Sequence, residues 1–260
     1  MNPPAYDTLA AVYDRLQQSV DTVAWADYIE ALQRRYAGRM KGDGTDGRPI
    51  LLDLGCGTGS FCLEMERRGY DPIGVDHSPV MLDQAREKAS REGLGRTLFL
   101  LQNITRFELF GTVDLIVCLL DTVNHLTASA QIKRFFDHCA NYLNPGGLLV
   151  FDIATQDHLQ RRLGNQVFFV DSPDQTLLWQ NHFNRRSQIS RSEILLFTRE
   201  VDGRYSRSDA EIRERAYQPD MLRGLIEQHG FLLQDVLGGL TMNPARRTDS
   251  RHFYICRKPE

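Results

Sequence analysis

The stretch Ile50-Leu51-Leu52-Asp53-Leu54-Gly55-Cys56-Gly57-Thr58-Gly59-Ser60 decides how this chain is read. An apolar run leads straight into three glycines spaced by single residues. A strand that is apolar along most of its length is buried on both faces, as strands of parallel sheets are. The glycines permit positive φ angles and let backbone N–H groups come close to a ligand. Strand, glycine turn and helix in that order put the turn at the carboxyl edge of an open α/β sheet, where such sheets bind ligands. A structural turn alone would ask nothing of the residues beyond it. Here Asp76 ends the next apolar run, 21 residues after Gly55. A carboxylate in that place can accept two hydrogen bonds from a ribose diol. Turn and acid together indicate a nucleoside-containing ligand.

The glycine spacing excludes two common nucleotide sites. The dinucleotide fingerprint is G-x-G-x-x-G, and Ser60 stands where its third glycine belongs. A P-loop needs G-x-x-x-x-G-K-[ST], and no Lys follows Gly59.

The same alternation extends outward. Apolar runs at 50–54, 72–75, 98–101, 113–119 and 148–153 read as strands, and amphipathic stretches at 58–69, 79–92 and 128–143 as the helices between them. Upstream, residues 6–37 read as helical, with Leu9, Val12, Leu16, Val23, Ile29 and Leu32 at broadly helical spacing. "AGRMKGDGTDGRP" (37–49) reads as a loop. Beyond Ile153 the pattern turns antiparallel: "NQVFFV", "TLLWQNHF" and "EILLFTREVDGRYSR", with Asp202-Gly203 as a hairpin turn. "PDMLRGLIEQHG" then reads as a helix, and "FLLQDVLG" and "HFYICRK" as two final strands. The organisation expected is a helical lid and linker (1–49), a ligand-binding core (50–153), an inserted antiparallel sheet (154–217) and the last helix and strands of the core (218–260).

Bulk properties fit a soluble globular protein. The 260 residues are 42% hydrophobic and 25% charged, with a net charge of −3. That balance argues against a general nucleic-acid binder, which is usually basic. Five scattered cysteines with no C-x-x-C fit a reducing compartment. No Cys/His cluster suggests a metal, no signal segment opens the chain, and no apolar run reaches the ~20 residues of a membrane span. The expected location is cytoplasmic, without a membrane partner.

The pattern Asp-x-Gly-x-Gly-x-Gly over 53–59 resembles motif I of the class I S-adenosylmethionine (SAM) methyltransferases. "GVDHSPVMLDQAR", "LLQNITRFEL", "VDLIVCLLDTVNHL" and "LNPGGLLVFDI" resemble that family's later motifs in the right order. "YDTLAAVYDRL…WADYI", "LLWQNHF" and "REVDGRY…ERAYQPDML" look like a small bacterial subgroup with a sheet inserted after the fifth strand, similar to the amino-sugar N,N-dimethyltransferases. The fold implied is α/β: a Rossmann-like, seven-stranded, mostly parallel sheet with helices on both faces, plus a small antiparallel sheet.

The resemblance also implies roles. Gly55, Cys56, Gly57 and Gly59 would line the methionine part of the cofactor, and Asp53 would orient the turn and hold the ammonium end. Asp76 would bind the ribose, His77 and Met81 would flank the adenine, and the Ile104 N–H would face a ring nitrogen. Asn103 stands where the family often has Asp; its carbonyl oxygen can still accept from the adenine amino group. Leu119 and Leu120 would lie beneath the sulfonium. Tyr13 and Trp25, on the lid, would contact the cofactor, and Tyr6 the substrate; for these three, ordinary helix packing competes.

Methyl transfer needs proximity and orientation first, and a base only where the nucleophile carries a proton. His125, in "DTVNHL", is the candidate base, since amino-sugar enzymes carry a His in a similar context. A hydrogen-bonded wall residue is the competing reading. Trp179, Asn181, Arg215 and Tyr217 are candidates for the acceptor pocket, with core packing the alternative for Trp179. The arginine-rich insertion reads as an ion-paired solvated face, ahead of a dimer surface and an RNA-binding face.

The function expected is methyl transfer to N or O of a small molecule by a monomer or homodimer, without nucleic acid as partner. The alternatives are a nucleic-acid methyltransferase, whose Asn/Asp-Pro-Pro-Tyr signature is absent, and a non-catalytic SAM-binding protein.

Overall fold

In the computed structural model, residues 5–17, 20–37, 42 and 44–260 are described. The side chains of Val12 and Leu16, and positions 38–41 and 43 of the expected loop, lie outside the described residues. Two helices stand where one helical stretch was expected: α1 (Ala5–Leu16) and α2 (Thr22–Tyr36). α2 starts at Asp21, whose carboxylate accepts from the Ala24 N–H at 3.0 Å. A capping residue has extended backbone, so a helix cannot run through it.

The expected alternation follows: β1 (Ile50–Leu54), α3 (Ser60–Arg67), β2 (Asp71–Asp76), α4 (Pro79–Arg91), β3 (Leu98–Leu101), β4 (Val113–Cys118), α5 (Ser129–Tyr142) and β5 (Leu143–Ala154). These strands pair in parallel, and every residue of β4 is buried. β5 begins earlier than its apolar run because the Pro-Gly-Gly segment joins the strand. Gly146, at φ 79°, donates its N–H to the Lys258 carbonyl at 2.9 Å. α3 begins at Ser60 rather than 58, since Gly59 at φ 75° is left-handed.

The inserted sheet consists of β6 (Val167–Asp171), β7 (Gln175–Asn184), β8 (Ile189–Arg199) and β9 (Tyr205–Arg215), each antiparallel to the next. The β8–β9 hairpin turns at Asp202-Gly203 as expected, with Gly203 at φ 84°. The chain then returns through α6 (Pro219–Gln228), β10 (Leu232–Gly238) and β11 (Arg251–Arg257). The main sheet has seven strands in the order β10-β11-β5-β4-β1-β2-β3, with β11 antiparallel to both neighbours.

Both faces of this sheet are covered. α5 and α6 bring Phe135, Phe136, Leu222 and Ile226 against Leu52, Leu54, Ile116 and Phe151. α2 brings Trp25, Ile29 and Leu32 against Leu51, Val117, Val150 and Phe253. Leu9 of α1 meets Leu177, Ile194 and Leu196 of the inserted sheet. α1 and that sheet thus close together over the carboxyl edge of the parallel strands, which is the edge that carries the glycine turn.

Candidate functional site

The glycine turn is held from beneath by β2. The Val75 carbonyl accepts from the N–H groups of Gly55 and Cys56 at 2.7 and 3.1 Å. Gly55 has φ 85°, and a Cβ there would stand 2.5 Å from the Thr122 side chain, so no other residue fits. The Asp76 carboxylate accepts from the Gly57 N–H at 2.9 Å and, through its other oxygen, from the Ser78 N–H at 2.9 Å. It therefore fixes the turn and the start of α4, and each oxygen keeps a lone pair for a ribose hydroxyl. Asp53 is buried and accepts from the Cys62 thiol at 3.3 Å. Burial pushes its carboxyl up to about 7, the thiol opposes, and the Asp76 charge adds to the rise. A cationic group beside Asp53 would draw it into the charged form.

Above the turn lies a cleft in two lobes of about 310 and 340 Å3. The first is lined by Tyr13, Trp25, Asp53, Gly55, Cys56 and Leu119 among others. The second is lined by Tyr6, Gly57, Asp76, His77, Met81, Asn103, Ile104 and His125, together with Gln131 of α5 and Glu211, Ile212 and Arg213 of β9. Tyr13, Gly55, Leu120 and Thr122 face both. One lobe thus has a buried acid and the turn, the other a ribose-type acid and apolar walls. Such a pair suits a nucleoside carrying a charged amino-acid tail.

α1 is fastened across the cleft. Asp14 accepts from the Thr58 hydroxyl at 2.5 Å and from Lys88 at 2.7 Å, and Lys88 also reaches Ser60 at 2.7 Å. Asp7 accepts from the Ser78 hydroxyl. Tyr6 stands 2.8 Å from His125 Nε2, and the Arg213 carbonyl lies 3.3 Å from Nδ1. A carbonyl can only accept, so Nδ1 carries the hydrogen and Nε2 accepts from the tyrosine. Burial lowers the His125 pKa below its ordinary value and raises that of Tyr6 well above its own. Both groups are therefore uncharged at neutral pH.

Several expected residues sit differently from their assigned roles. The Asn103 carbonyl oxygen accepts from the Thr105 N–H at 2.9 Å and hydroxyl at 2.7 Å, so Nδ2 is the group it has left to offer. Gly59 lines neither lobe and ends the turn. Trp179, Asn181, Arg215 and Tyr217 line neither lobe. Trp179 packs beside the Leu9 cluster and donates to Asn181 Oδ1 at 2.8 Å. Tyr217 is in the main core, with its hydroxyl on the Leu126 carbonyl. Arg215 contributes its carbonyl, which accepts from Asn124 Nδ2 at 2.9 Å. Several arginines of the insertion are ion-paired: Arg191 with Glu193 and Glu211, Arg207 with Asp209, and Arg213, at the second lobe, with Glu211. Among the described residues no cluster could hold a metal ion, and no helix is long and apolar enough to cross a membrane.

Sequence reasoning missed one assembly. Leu120 and Asp121, directly after β4, have φ of 55° and 64°. Two successive non-glycine residues in that region are strained and need support. Asp152, at the end of β5, supplies it by accepting from the Leu120 and Asp121 N–H groups at 2.8 and 3.1 Å. Arg251 pairs with Asp152 and with Asp121, the latter at 2.5 Å, and lies over the Trp25 ring at 5.4 Å. Burial pushes the Asp152 carboxyl up to about 7 against the pull of Arg251. The Trp25 ring, expected against the cofactor, thus also carries the guanidinium that holds the floor of the cleft.

Comparison with known proteins agrees with this geometry. A methyltransferase-domain family profile matches residues 51–147. A putative methyltransferase of Geobacillus sp. (strain WCH70) is 25% identical over 97% of this chain and 99% of its own. The crystal structure of an S-adenosylmethionine-dependent methyltransferase from Clostridium acetobutylicum ATCC 824 superposes with a TM-score of 0.84 at 26% identity, covering 98% of this chain and 99% of that one. The sugar N-methyltransferase KedS8 from Streptoalloteichus sp ATCC 53650 shares the fold, with a TM-score of 0.72 at 20% identity over 96% and 93% of the two chains.

Proposed function

We propose that this chain, a class I SAM-dependent methyltransferase, delivers its methyl group to nitrogen or oxygen of a small-molecule acceptor. The observation that carries this is the second lobe. Its about 340 Å3 are walled by α1, the 122–125 turn and β9, and part of that volume is needed for the nucleoside. What remains suits a small acceptor better than a polymer. That a structural neighbour is a sugar N-methyltransferase adds support for nitrogen.

When bound, SAM supplies a methyl group on a sulfonium, already activated for displacement. The chain positions it. Asp76 holds the ribose hydroxyls, with His77, Met81 and Ile104 around the base. Asp53, buried beneath the first lobe, would take the amino-acid end, with Tyr13 between the lobes. The inserted sheet forms the acceptor side. His125 acts as the base: its Nε2 is unprotonated at neutral pH, and an acceptor hydrogen reaches it by replacing the Tyr6 hydroxyl. A positioned base of this kind contributes roughly 10²–10⁴-fold.

Calorimetric titration with S-adenosylhomocysteine, with NADH in a parallel cell, tests the cofactor half. Micromolar binding of the former and none of the latter is expected. The reverse result would remove every role above.

A further inference from the structure

The inner face of the inserted sheet carries a polar patch that the chain does not satisfy. Asn181, Ser192 and Ile212 form one cross-strand row, and Phe183, Ser190 and Glu214 form the next. Directly facing partners have Cβ atoms only ~5 Å apart. Asn181 and Ser190 are 0% exposed and Glu214 is 8% exposed. Asn181 Oδ1 accepts from Trp179 at 2.8 Å and from Ser192 at 2.6 Å, yet its Nδ2 has no partner, and neither has the Ser190 hydroxyl. The Glu214 carboxyl makes no hydrogen bond or ion pair among the described residues.

Four other buried carboxylates are met by two or more donors. Glu66 accepts from the N–H groups of Gly95, Arg96 and Thr97. Asp114 accepts from the Ile50 N–H and from Asn144, and Asp76 and Asp152 have the partners given above. Unmet buried polar groups are rare in folded chains and mark places that something else completes.

The patch borders the cleft. Ile212, on the same face as Glu214, lines the second lobe, and so does its chain neighbour Arg213. The carbonyls on either side of Glu214 dock β9 onto the 122–125 turn, through His125 and Asn124. The charge of Glu214 acts on the Tyr6 hydroxyl, and that of Asp121 acts on Glu214. Arg251 is already shared by Asp152 and Asp121, and it makes no hydrogen bond or ion pair with the Glu214 carboxyl.

We infer that Glu214 is the recognition site for a cationic amine on the methyl acceptor. This rests on the methyltransferase reading and narrows its acceptor to a polar amine. Burial pushes the Glu214 carboxyl up to about 8, with the Asp121 charge adding and Arg251 opposing. The carboxyl is thus held uncharged until an ammonium arrives to pair with it, and a neutral alcohol offers no such pairing. The competing role for this acid is to offset the positive sulfonium of the cofactor.

The test uses the full chain saturated with S-adenosylhomocysteine, and the probes are D-glucosamine and 2-aminoethanol against N-acetyl-D-glucosamine and ethylene glycol. Binding is read from thermal shift titrations of wild type, Glu214→Gln and Ser190→Ala. Wild type should bind the amines at least tenfold tighter than their neutral counterparts. Glu214→Gln should cut that preference to twofold or less while binding S-adenosylhomocysteine as wild type does. Ser190→Ala should keep the preference for amines. Equal binding of amines and neutral counterparts by wild type, or an undiminished preference in Glu214→Gln, overturns the assignment. So does a Glu214→Gln protein that loses affinity for SAM but not for S-adenosylhomocysteine, since the acid then serves the sulfonium. A wild-type protein that binds no S-adenosylhomocysteine at all fails the parent reading instead.

Discussion

The turn after β1 and the inner face of β7–β9 bound the same cleft on different terms. At the turn, the side-chain and backbone groups that make the shape also satisfy one another: Asp76 takes the Gly57 and Ser78 N–H groups, and Val75 takes those of Gly55 and Cys56. At the inserted sheet, Asn181 Nδ2 and the Ser190 hydroxyl are buried without a partner, and the Glu214 carboxyl has no donor among the described residues. A preformed site suits a cofactor that does not vary. An unsatisfied one costs stability and is retained where a ligand completes it. The floor that joins them, Asp121-Asp152-Arg251, is satisfied but strained.

The sharpest break of this contrast is at the floor. Arg251→Ala leaves Asp152 and Asp121 near one another without their counter-charge. Removing one partner of a buried pair typically costs about 3–5 kcal/mol. Urea unfolding should show a loss of that order, and a loss under about 1 kcal/mol would mean that the left-handed Leu120-Asp121 turn supports itself. In the second lobe, if His125 is the base proposed above, His125→Ala should lower turnover at neutral pH by about 100-fold, with S-adenosylhomocysteine affinity unchanged. An unaltered rate and pH profile would return His125 to the role of a wall residue. At the turn, Asp76→Ala should weaken S-adenosylhomocysteine by roughly 30-fold, through loss of charge-assisted bonds to the ribose and to Gly57. Calorimetry on the folded mutant decides; unchanged affinity would move the ribose elsewhere.

The two regions also differ in how much the sequence discloses. Asp53, Gly55 and Asp76 were readable because their geometry is local: a strand, a turn and the end of the neighbouring strand. The strands themselves were readable from apolar runs, down to the Asp202-Gly203 hairpin. The break at Asp21 has a local capping signal that helical spacing alone overrides. The floor has none, because Arg251 lies 99 residues from Asp152 and 130 from Asp121, and nothing in "CLLD" announces two positive φ angles. On the inserted sheet, period-2 alternation fixes which residues share a face but not which face meets the cleft. Trp179 and Tyr217 were aromatic enough for a pocket, and packing claims both, with the Asn181 side chain holding the first and the Leu126 carbonyl the second. Ile212 and Arg213, which do line the second lobe, carry no motif.

The smallest expected effect separates cost from function most cleanly, through pH. Asp53 and Asp152 are pushed up to about 7 and Glu214 to about 8 by burial. A carboxyl whose folded pKa lies above its unfolded value is protonated in the fold while the unfolded chain has already released the proton. Stability therefore falls as pH rises from the ordinary carboxylate range through the folded pKa. His125 and His158 lean the other way, since burial lowers them and their cost appears as pH falls below about 6.5. The wild-type profile mixes these opposing slopes, so the informative quantity is a difference. Glu214→Gln removes one contribution, and its Tm relative to wild type should be near zero at pH 5 and rise by several degrees by pH 9. A difference that is flat with pH would mean that Glu214 finds a partner in the ligand-free protein, and the contrast between a finished cofactor wall and an unfinished acceptor wall would lose its clearest residue.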